Sequence, residues 1–241
     1  MSGMQSALTL IYPHQCILCD EMVEQGSGLC GPCWRDTPFV AGLVCDSCGT
    51  PLMGEGDDHV IHCDDCMSIP RRWHRGRAAI VYDGKGRRVV LSLKHGDRQD
   101  IVGPAAAWML RAARPLITPN TLLVPVPLHW LRMLKRRFNQ SALLATALGR
   151  AAGVQVSPRA LQRARNTARQ DGKSLDQRFA NIADAIRPHF KYGALIEGRD
   201  ILLVDDVMTT GATLSACTDA CIAAGAARVD IVTLARVAKA S

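Results

Sequence analysis

Two groups of residues in this 241-residue chain have the types and spacing to do chemistry. The first is the run Ile201-Leu202-Leu203-Val204-Asp205-Asp206-Val207-Met208-Thr209-Thr210-Gly211-Ala212-Thr213. Adjacent carboxylates can accept hydrogen bonds from the 2′- and 3′-hydroxyls of a sugar and tolerate a nearby Mg²⁺. A small-residue loop that opens a helix offers a 5′-phosphate its backbone N–H groups, its threonine hydroxyls and the positive end of the helix dipole. Gly211 allows close approach of the backbone to such a phosphate. An isolated Asp-Asp pair reads equally well as an acidic turn. Four apolar residues before the pair and Thr-Thr-Gly-x-Thr after it favour a ribose clamp beside a phosphate cradle.

The second group is Cys16/Cys19, Cys30/Cys33, Cys45/Cys48 and Cys63/Cys66, four Cys-x-x-Cys knuckles separated by ten, eleven and fourteen residues. Eight thiolates at this spacing suit two tetrahedral Zn(Cys)₄ sites of the zinc-ribbon kind, both structural. Sequential pairing is the simplest arrangement, and an interleaved cross-brace is the alternative. A redox role would call for one Cys-x-x-Cys at a helix start rather than four in tandem. His14, His59 and His62 lie near the knuckles, but with eight cysteines available they are expected to face solvent or the zinc ligands. The segment is too short and too poor in large apolar residues to fold well without metal. Cys217 and Cys221, four apart on one helix face, read as buried reduced thiols.

Charge divides the chain sharply. Residues 1–70 carry ten acids against Arg35 alone, a balance of −9; residues 71–180 carry +17, residues 181–241 carry −1, and the net is +7. Two Zn(Cys)₄ sites, each formally −2, deepen the first figure to about −13. Such a surface repels phosphates, so any nucleic acid is expected on residues 71–180. Aromatic residues make up only 5% of the chain, which gives little support for a long base-stacking groove. Neither a secretion signal nor a membrane-length apolar stretch is evident, and a cytoplasmic location is expected. That compartment favours metal thiolates over disulfides.

The elements that must position these residues follow from periodicity and punctuation. The charge reversal and the end of the cysteine pairs near Ser68-Ile69-Pro70 divide the chain into a zinc-ribbon module, 1–70, and a second domain, 71–241. In the latter, strands are predicted at Arg77 to Tyr82, Thr121 to Val126, Asp200 to Val204 and Arg228 to Leu234. Asp83 to Gly86 reads as a turn. Helices are predicted at Arg87 to His95, with Val90, Leu91 and Leu93 inward, and at Ile101 to Arg114, Asn139 to Ala152 and Thr213 to Ala224. Short buried strands alternating with helices predict an α/β domain with a mostly parallel sheet covered on both faces.

The stretch after Val124-Pro125-Val126-Pro127 can face the same crevice as the acidic pair. Its Arg132, Arg136 and Arg137, with Pro127, Asn139 and Gln140, are candidates for a pyrophosphate loop. The polar, basic stretch holding Arg163, Arg169, Gln170, Arg178 and Asn181 is a candidate flexible lid. Residues 71–98, with Tyr82, Lys94 and His95, are candidates for the hood that selects a base or amine.

The run from Ile201 to Thr213 resembles the signature of the type I phosphoribosyltransferases. Taken with Pro125-Val126-Pro127, Arg137-Phe138-Asn139-Gln140, the Gln170, Arg178, Asn181 spacing and the cysteine module, the whole chain resembles the ComF family of competence-associated proteins. Arg137 stands where glycine is common in the family's Arg-Gly-Phe-Asn-Gln run. The resemblance implies a Rossmann-like phosphoribosyltransferase fold. Asp205 and Asp206 would hold a ribose, Thr209, Thr210, Gly211, Ala212 and Thr213 a 5′-phosphate, and Mg²⁺ would bridge a pyrophosphate. It further implies a part in natural transformation and the handling of incoming single-stranded DNA, and kinship with the glutamine-dependent amidophosphoribosyltransferases. No glutaminase domain precedes the fold in this sequence, so a nitrogen donor is expected to arrive free or from a partner.

Three functions remain open at this level. The first is binding of phosphoribosyl pyrophosphate or a nucleotide in the service of DNA uptake. The second is an active Mg²⁺-dependent phosphoribosyltransferase with a nitrogen nucleophile, and the third a non-catalytic ligand sensor. The acidic zinc module would dock either a competence helicase or other DNA-uptake protein, or the basic domain itself.

Overall fold

The apolar run ahead of the acidic pair becomes the middle of a sheet. The structure, a computed structural model, describes residues 14–23, 28–54, 60–94, 98–128, 138–163 and 185–238. Among them, strand β6 (Asp200–Met208) lies between β7 (Arg228–Arg236) and β2 (Thr121–Pro125), flanked by β1 (Gly76–Val81) beyond β7 and β3 (Gln155–Val156) beyond β2. Every pairing in this sheet is parallel. Ile201 to Val204 are all fully buried, as a parallel strand covered on both faces requires.

Alternate residues of β6 enter different cores. Leu202 and Val204 join Leu123, Val232 and Leu234 in one cluster, packed with α3 (Gly84–Leu93), α4 (Val102–Ala113) and α5 (Gln140–Ala152). Ile201 and Leu203 join Leu122, Val124 and Ile231 in the other, packed with α6 (Ala212–Ala223) and the antiparallel pair β4 (Leu161–Arg163) and β5 (Ile186–Pro188). The strand's period of two thus separates the two helical layers.

The cysteine module straddles this sheet at its β1 edge. Cys16 and Cys33 belong to the first cluster, and Cys45, Cys48 and Cys66 to the second, so the two sets of thiols lie on opposite faces. Between them the chain covers the open edge of β1. Val40 N donates to Ala79 O at 2.9 Å, Val81 N to Pro38 O at 2.8 Å, and Phe39 bridges Ile80. Two short helices, α1 (Gly31–Arg35) and α2 (Asp64–Ser68), begin inside the second and fourth knuckles and carry Cys33 and Cys66.

The predicted strands and helices appear with shifted ends. Helix α3 begins at Gly84, inside the predicted turn, because Gly86 serves as a contact: a Cβ there would fall 2.3 Å from Val81 O. That start places Val89, Val90 and Leu93 inward and leaves Leu91 half-buried. Strand β6 runs on through Asp205 and Asp206 to Met208, because β7 continues beside it to Arg236. No helix among the described residues is long and apolar enough to cross a membrane.

Candidate functional site

The two carboxylates stand at the carboxyl end of β6, where open parallel sheets leave a crevice for ligands. Asp205 is 9% exposed and accepts hydrogen bonds on Oδ1 from Ser141 Oγ at 2.8 Å and from Asp206 N at 2.9 Å. Asp206 Oδ1 accepts from Val207 N at 2.8 Å, while its Oδ2 lies 3.7 Å from Lys94 Nζ. Lys94, at the end of α3, is the one member of the expected hood trio that reaches the acidic pair among the described residues. Tyr82 is half-buried against the core, and His95 lies outside the described residues.

Burial, reinforced by the charge of Asp206, pushes the Asp205 carboxyl up to about 8. The folded chain therefore favours the neutral acid. This contribution to stability is complete below the unfolded value of about 4 and is lost as pH rises through about 8. The expected result is that between pH 5 and pH 9 the thermal midpoint of the wild type falls by at least about 5 °C relative to Asp205→Asn, whose amide cannot ionise and keeps an acceptor for Ser141. Midpoints that run parallel across that range would contradict the shift.

Beyond Met208 the chain turns through Thr209 and Thr210 into Gly211, which caps α6 with φ 84°. A Cβ at that position would lie 2.8 Å from Trp73 Cη2 and 3.0 Å from Met208 Cε, so glycine is required for both conformation and space. Asp205 and residues 207–214 line an open concavity. The first residues of α6 line it; their N–H groups have no acceptor within their own helix, and Ala212 N donates to Thr210 Oγ1 at 3.4 Å. Asp205 and the start of a helix thus share one crevice.

Asn139 closes the neighbouring loop at both ends. Its Nδ2 donates to Val126 O at 3.0 Å, and its Oδ1 accepts from Ser141 N at 3.1 Å as the N-cap of α5. Pro127 is buried at the exit of β2. Gln140 is 2% exposed, and its Nε2 has no hydrogen-bond partner among the described residues. Arg163 lies in β4, paired with β5. Arg132, Arg136, Arg137, Arg169, Gln170, Arg178 and Asn181 lie outside the described residues.

Each set of four thiols forms a compact group, and the pairing is sequential: Cys16, Cys19, Cys30 and Cys33 in one, Cys45, Cys48, Cys63 and Cys66 in the other. All sulfurs within a set lie within 4.8 Å of one another. Sulfur separations are 3.5 Å for Cys19 to Cys30 and for Cys19 to Cys33, and 3.7 Å for Cys48 to Cys63. A zinc–sulfur tetrahedron has edges of about 3.8 Å, whereas a disulfide would bring two sulfurs to about 2.05 Å. The residues fit two structural Zn²⁺ ions. His62 Nδ1 meets Ser47 Oγ at 3.0 Å, and His14 is exposed.

Part of this module's acidity is met within the chain. Asp46 takes Arg75 at 3.0 Å and Arg77 at 2.8 Å, and Asp36 takes Lys85 at 2.9 Å. Burial opposes ionisation of Asp46, but the two guanidinium groups outweigh it and hold the carboxyl below its usual range. Cys217 and Cys221 are buried on α6, and burial pushes both thiols up, Cys221 to about 12. They are packing groups rather than nucleophiles.

Four site residues escaped the sequence. Ser141 holds Asp205, and Trp73 lies under Gly211. Arg71 Nη1 donates to Thr210 O at 2.7 Å, and Arg236 Nη1 donates to Thr209 O at 2.7 Å. Arg71 and Trp73 fall within the segment 71–98 offered as a hood, not as partners of this loop, and nothing near Ser141 or Arg236 marks either as part of the site.

Comparison with known proteins agrees with this architecture. Residues 7–67 match the double zinc ribbon domain, and residues 142–241 match the phosphoribosyl transferase domain. The chain is 31% identical over 234 residues to the DNA utilization protein YhgH of Escherichia coli, covering 94% of this chain and 99% of the relative. It is 26% identical to Competence protein F of Haemophilus influenzae, over 78% of this chain and 82% of that one. It is 27% identical to Competence protein ComFC of Bacillus subtilis, over 83% and 85%. Among solved structures, a hypoxanthine phosphoribosyltransferase from Staphylococcus aureus aligns with a TM-score of 0.34 and 18% identity, over 59% of this chain and 68% of that one.

Proposed function

Because the chain belongs to the ComF family, joining a double zinc ribbon to a phosphoribosyl transferase domain, we propose that it binds phosphoribosyl pyrophosphate or a nucleotide in the crevice at the end of β6 and serves the handling of single-stranded DNA in natural competence. One observation carries the ligand: Asp205 and the start of α6 line the same concavity, so a carboxyl group for ribose hydroxyls and an anion cradle face one space. Asp205 and Asp206 take the 2′- and 3′-hydroxyls, and Thr209 to Thr213 take the 5′-phosphate. The pyrophosphate falls to the basic segment of Arg132, Arg136 and Arg137. Mg²⁺ accompanies it and supplies charge neutralisation; Asp206 is the carboxylate suited to meet that ion's retained waters.

The relatives' names, DNA utilization and competence, support the wider role, and a cytoplasmic location goes with it. Residues 1–70 act as a ribbon module on the ligand domain, 71–241. The module's ion pairs to Arg75, Arg77 and Lys85 favour the basic domain itself as its dock.

Calorimetry with phosphoribosyl pyrophosphate and Mg²⁺ tests the ligand reading. The double substitution Asp205→Ala, Asp206→Ala is expected to weaken binding by at least about a hundredfold, since each carboxyl group hydrogen-bonds to a hydroxyl. Equal heats from variant and wild type would sink the assignment. Pyrophosphate release over a panel of amines and bases separates a transferase from a binder. Binding of single-stranded DNA should fall with salt and with Arg136→Ala, Arg137→Ala.

A further inference from the structure

We propose that the second zinc ribbon is part of the ligand site, with Arg71, Trp73 and Arg236 acting as positioning residues that set the phosphate loop from the thiol cluster of Cys45, Cys48, Cys63 and Cys66. The proposal rests on the reading that Thr209 to Thr213 cradle a phosphate. Arg71 joins the two directly: its Nε donates to Cys66 Sγ at 3.2 Å and its Nη1 to Thr210 O at 2.7 Å. A planar guanidinium fixes its donors in different directions of one plane, so a single side chain ties a metal ligand to a loop carbonyl.

Arg236 makes a second tie. It is 3% exposed, and its Nη1 donates to Thr209 O at 2.7 Å and also to Val237 O, while its Nη2 lies 3.8 Å from Asp65, which sits between Cys63 and Cys66 on α2. The third element is a floor. Trp73, 4% exposed, lies under Gly211 and donates Nε1 to Ser47 O, inside the Cys45 to Cys48 knuckle, at 2.6 Å. Arg71 also lies over the Trp73 ring, 5.7 Å from its centroid. Two consecutive carbonyls of the loop and the space beneath its glycine are therefore all set from one ribbon.

The first ribbon provides the contrast. Its ties run to helices on the other face of the sheet, with Arg98 Nη2 donating to Ile17 O at 2.8 Å and Lys85 Nζ lying 3.5 Å from Cys33 Sγ. Both ribbons support the fold; the second also shapes the cradle. A structural metal fixes its four sulfurs, and groups bonded to them inherit that rigidity.

The test uses the full zinc-loaded chain with Arg71→Gln, Arg71→Lys and, as a control at the tie to the first ribbon, Arg98→Gln. Without any ligand, backbone amide exchange over residues 207–214 is expected to accelerate about tenfold in both Arg71 variants and to stay unchanged in the control, with two zinc ions retained by all. Affinity for ribose 5-phosphate should fall about tenfold in the Arg71 variants alone. In cobalt(II)-loaded protein, adding ribose 5-phosphate should shift the thiolate-to-cobalt absorption of the wild type and not that of Arg71→Gln. A role in packing alone would move stability and none of these. Wild-type exchange and affinity in Arg71→Gln would overturn the proposal, and so would full rescue by lysine, which would reduce Arg71 to a point charge. If exchange responds but the wild type ignores ribose 5-phosphate, the tie between ribbon and loop stands and the ligand reading fails.

Discussion

Stripping zinc from this protein is expected to unfold the whole chain rather than a separable N-terminal module. Cys16 and Cys33 share a core with α4 and α5, and Cys45, Cys48 and Cys66 share the other with Leu203 and Ile231 in the centre of the sheet. Gly49, at φ 70°, holds the third knuckle so close to β1 that a Cβ would lie 2.5 Å from Ala78 N. A structural zinc contributes about 10 kcal/mol or more in small domains, comparable with the entire stability of a typical fold, about 5–15 kcal/mol. A chelator strong enough to remove both ions should therefore lower the thermal midpoint by about 15 °C or more, in one cooperative transition. Cys48→Ser should retain about one zinc and behave similarly. A metal content well below two per chain in the wild type would contradict the eight-thiolate reading. A high-temperature transition untouched by chelation would show that the sheet stands alone.

The second large effect is expected at Gly211. With φ 84° and Trp73 Cη2 placed 2.8 Å from any added Cβ, Gly211→Val must either displace the ring or abandon the left-handed conformation. A β-branched residue at positive φ costs about 1–2 kcal/mol by itself, and displacing a buried ring adds about as much again. The predicted outcome is a midpoint lowered by roughly 5–10 °C. Affinity for phosphoribosyl pyrophosphate should drop by at least about tenfold, because the N–H groups at the start of α6 no longer converge. Gly211→Ala combined with Trp73→Phe, which removes the clashing atom, should recover part of the loss seen in Gly211→Ala alone. Strict additivity of the two changes would show that the ring and the loop do not share this contact.

Much of the fold was legible because its signals are local. A fully buried parallel strand needs a continuous apolar run, and Ile201 to Val204 supplies one. Asn139 and Gly153 mark the ends of α5 through capping chemistry, which depends only on neighbouring residues. Tetrahedral zinc demands closely spaced thiolates, so the knuckles announce themselves. The end of β6 was not legible. The predicted strand ends at Val204, yet pairing with β7 carries Asp205 and Asp206 into it, with Asp205 set opposite Thr233, a contact that no local signal announces.

From Asp205 to Thr213 the residue types alone point to the ligand class proposed above, because carboxylates followed by a small-residue helix start at a strand end suit a sugar phosphate. The cysteine spacing likewise specifies metal. Tertiary structure decided how the two are related. Arg71 and Arg236 are separated by most of the chain, and Ser141 from Asp205 by a strand and more. Only folding brings them within hydrogen-bond reach. The −9 and +17 segments read as two modules, the acidic one docking either another protein or the basic domain itself, and the fold joins the two through Asp46, Arg75 and Arg77 over a shared core. The physical reason is range: backbone preference and metal geometry act over a few residues, while packing and ion pairing act between whatever surfaces the sheet brings together.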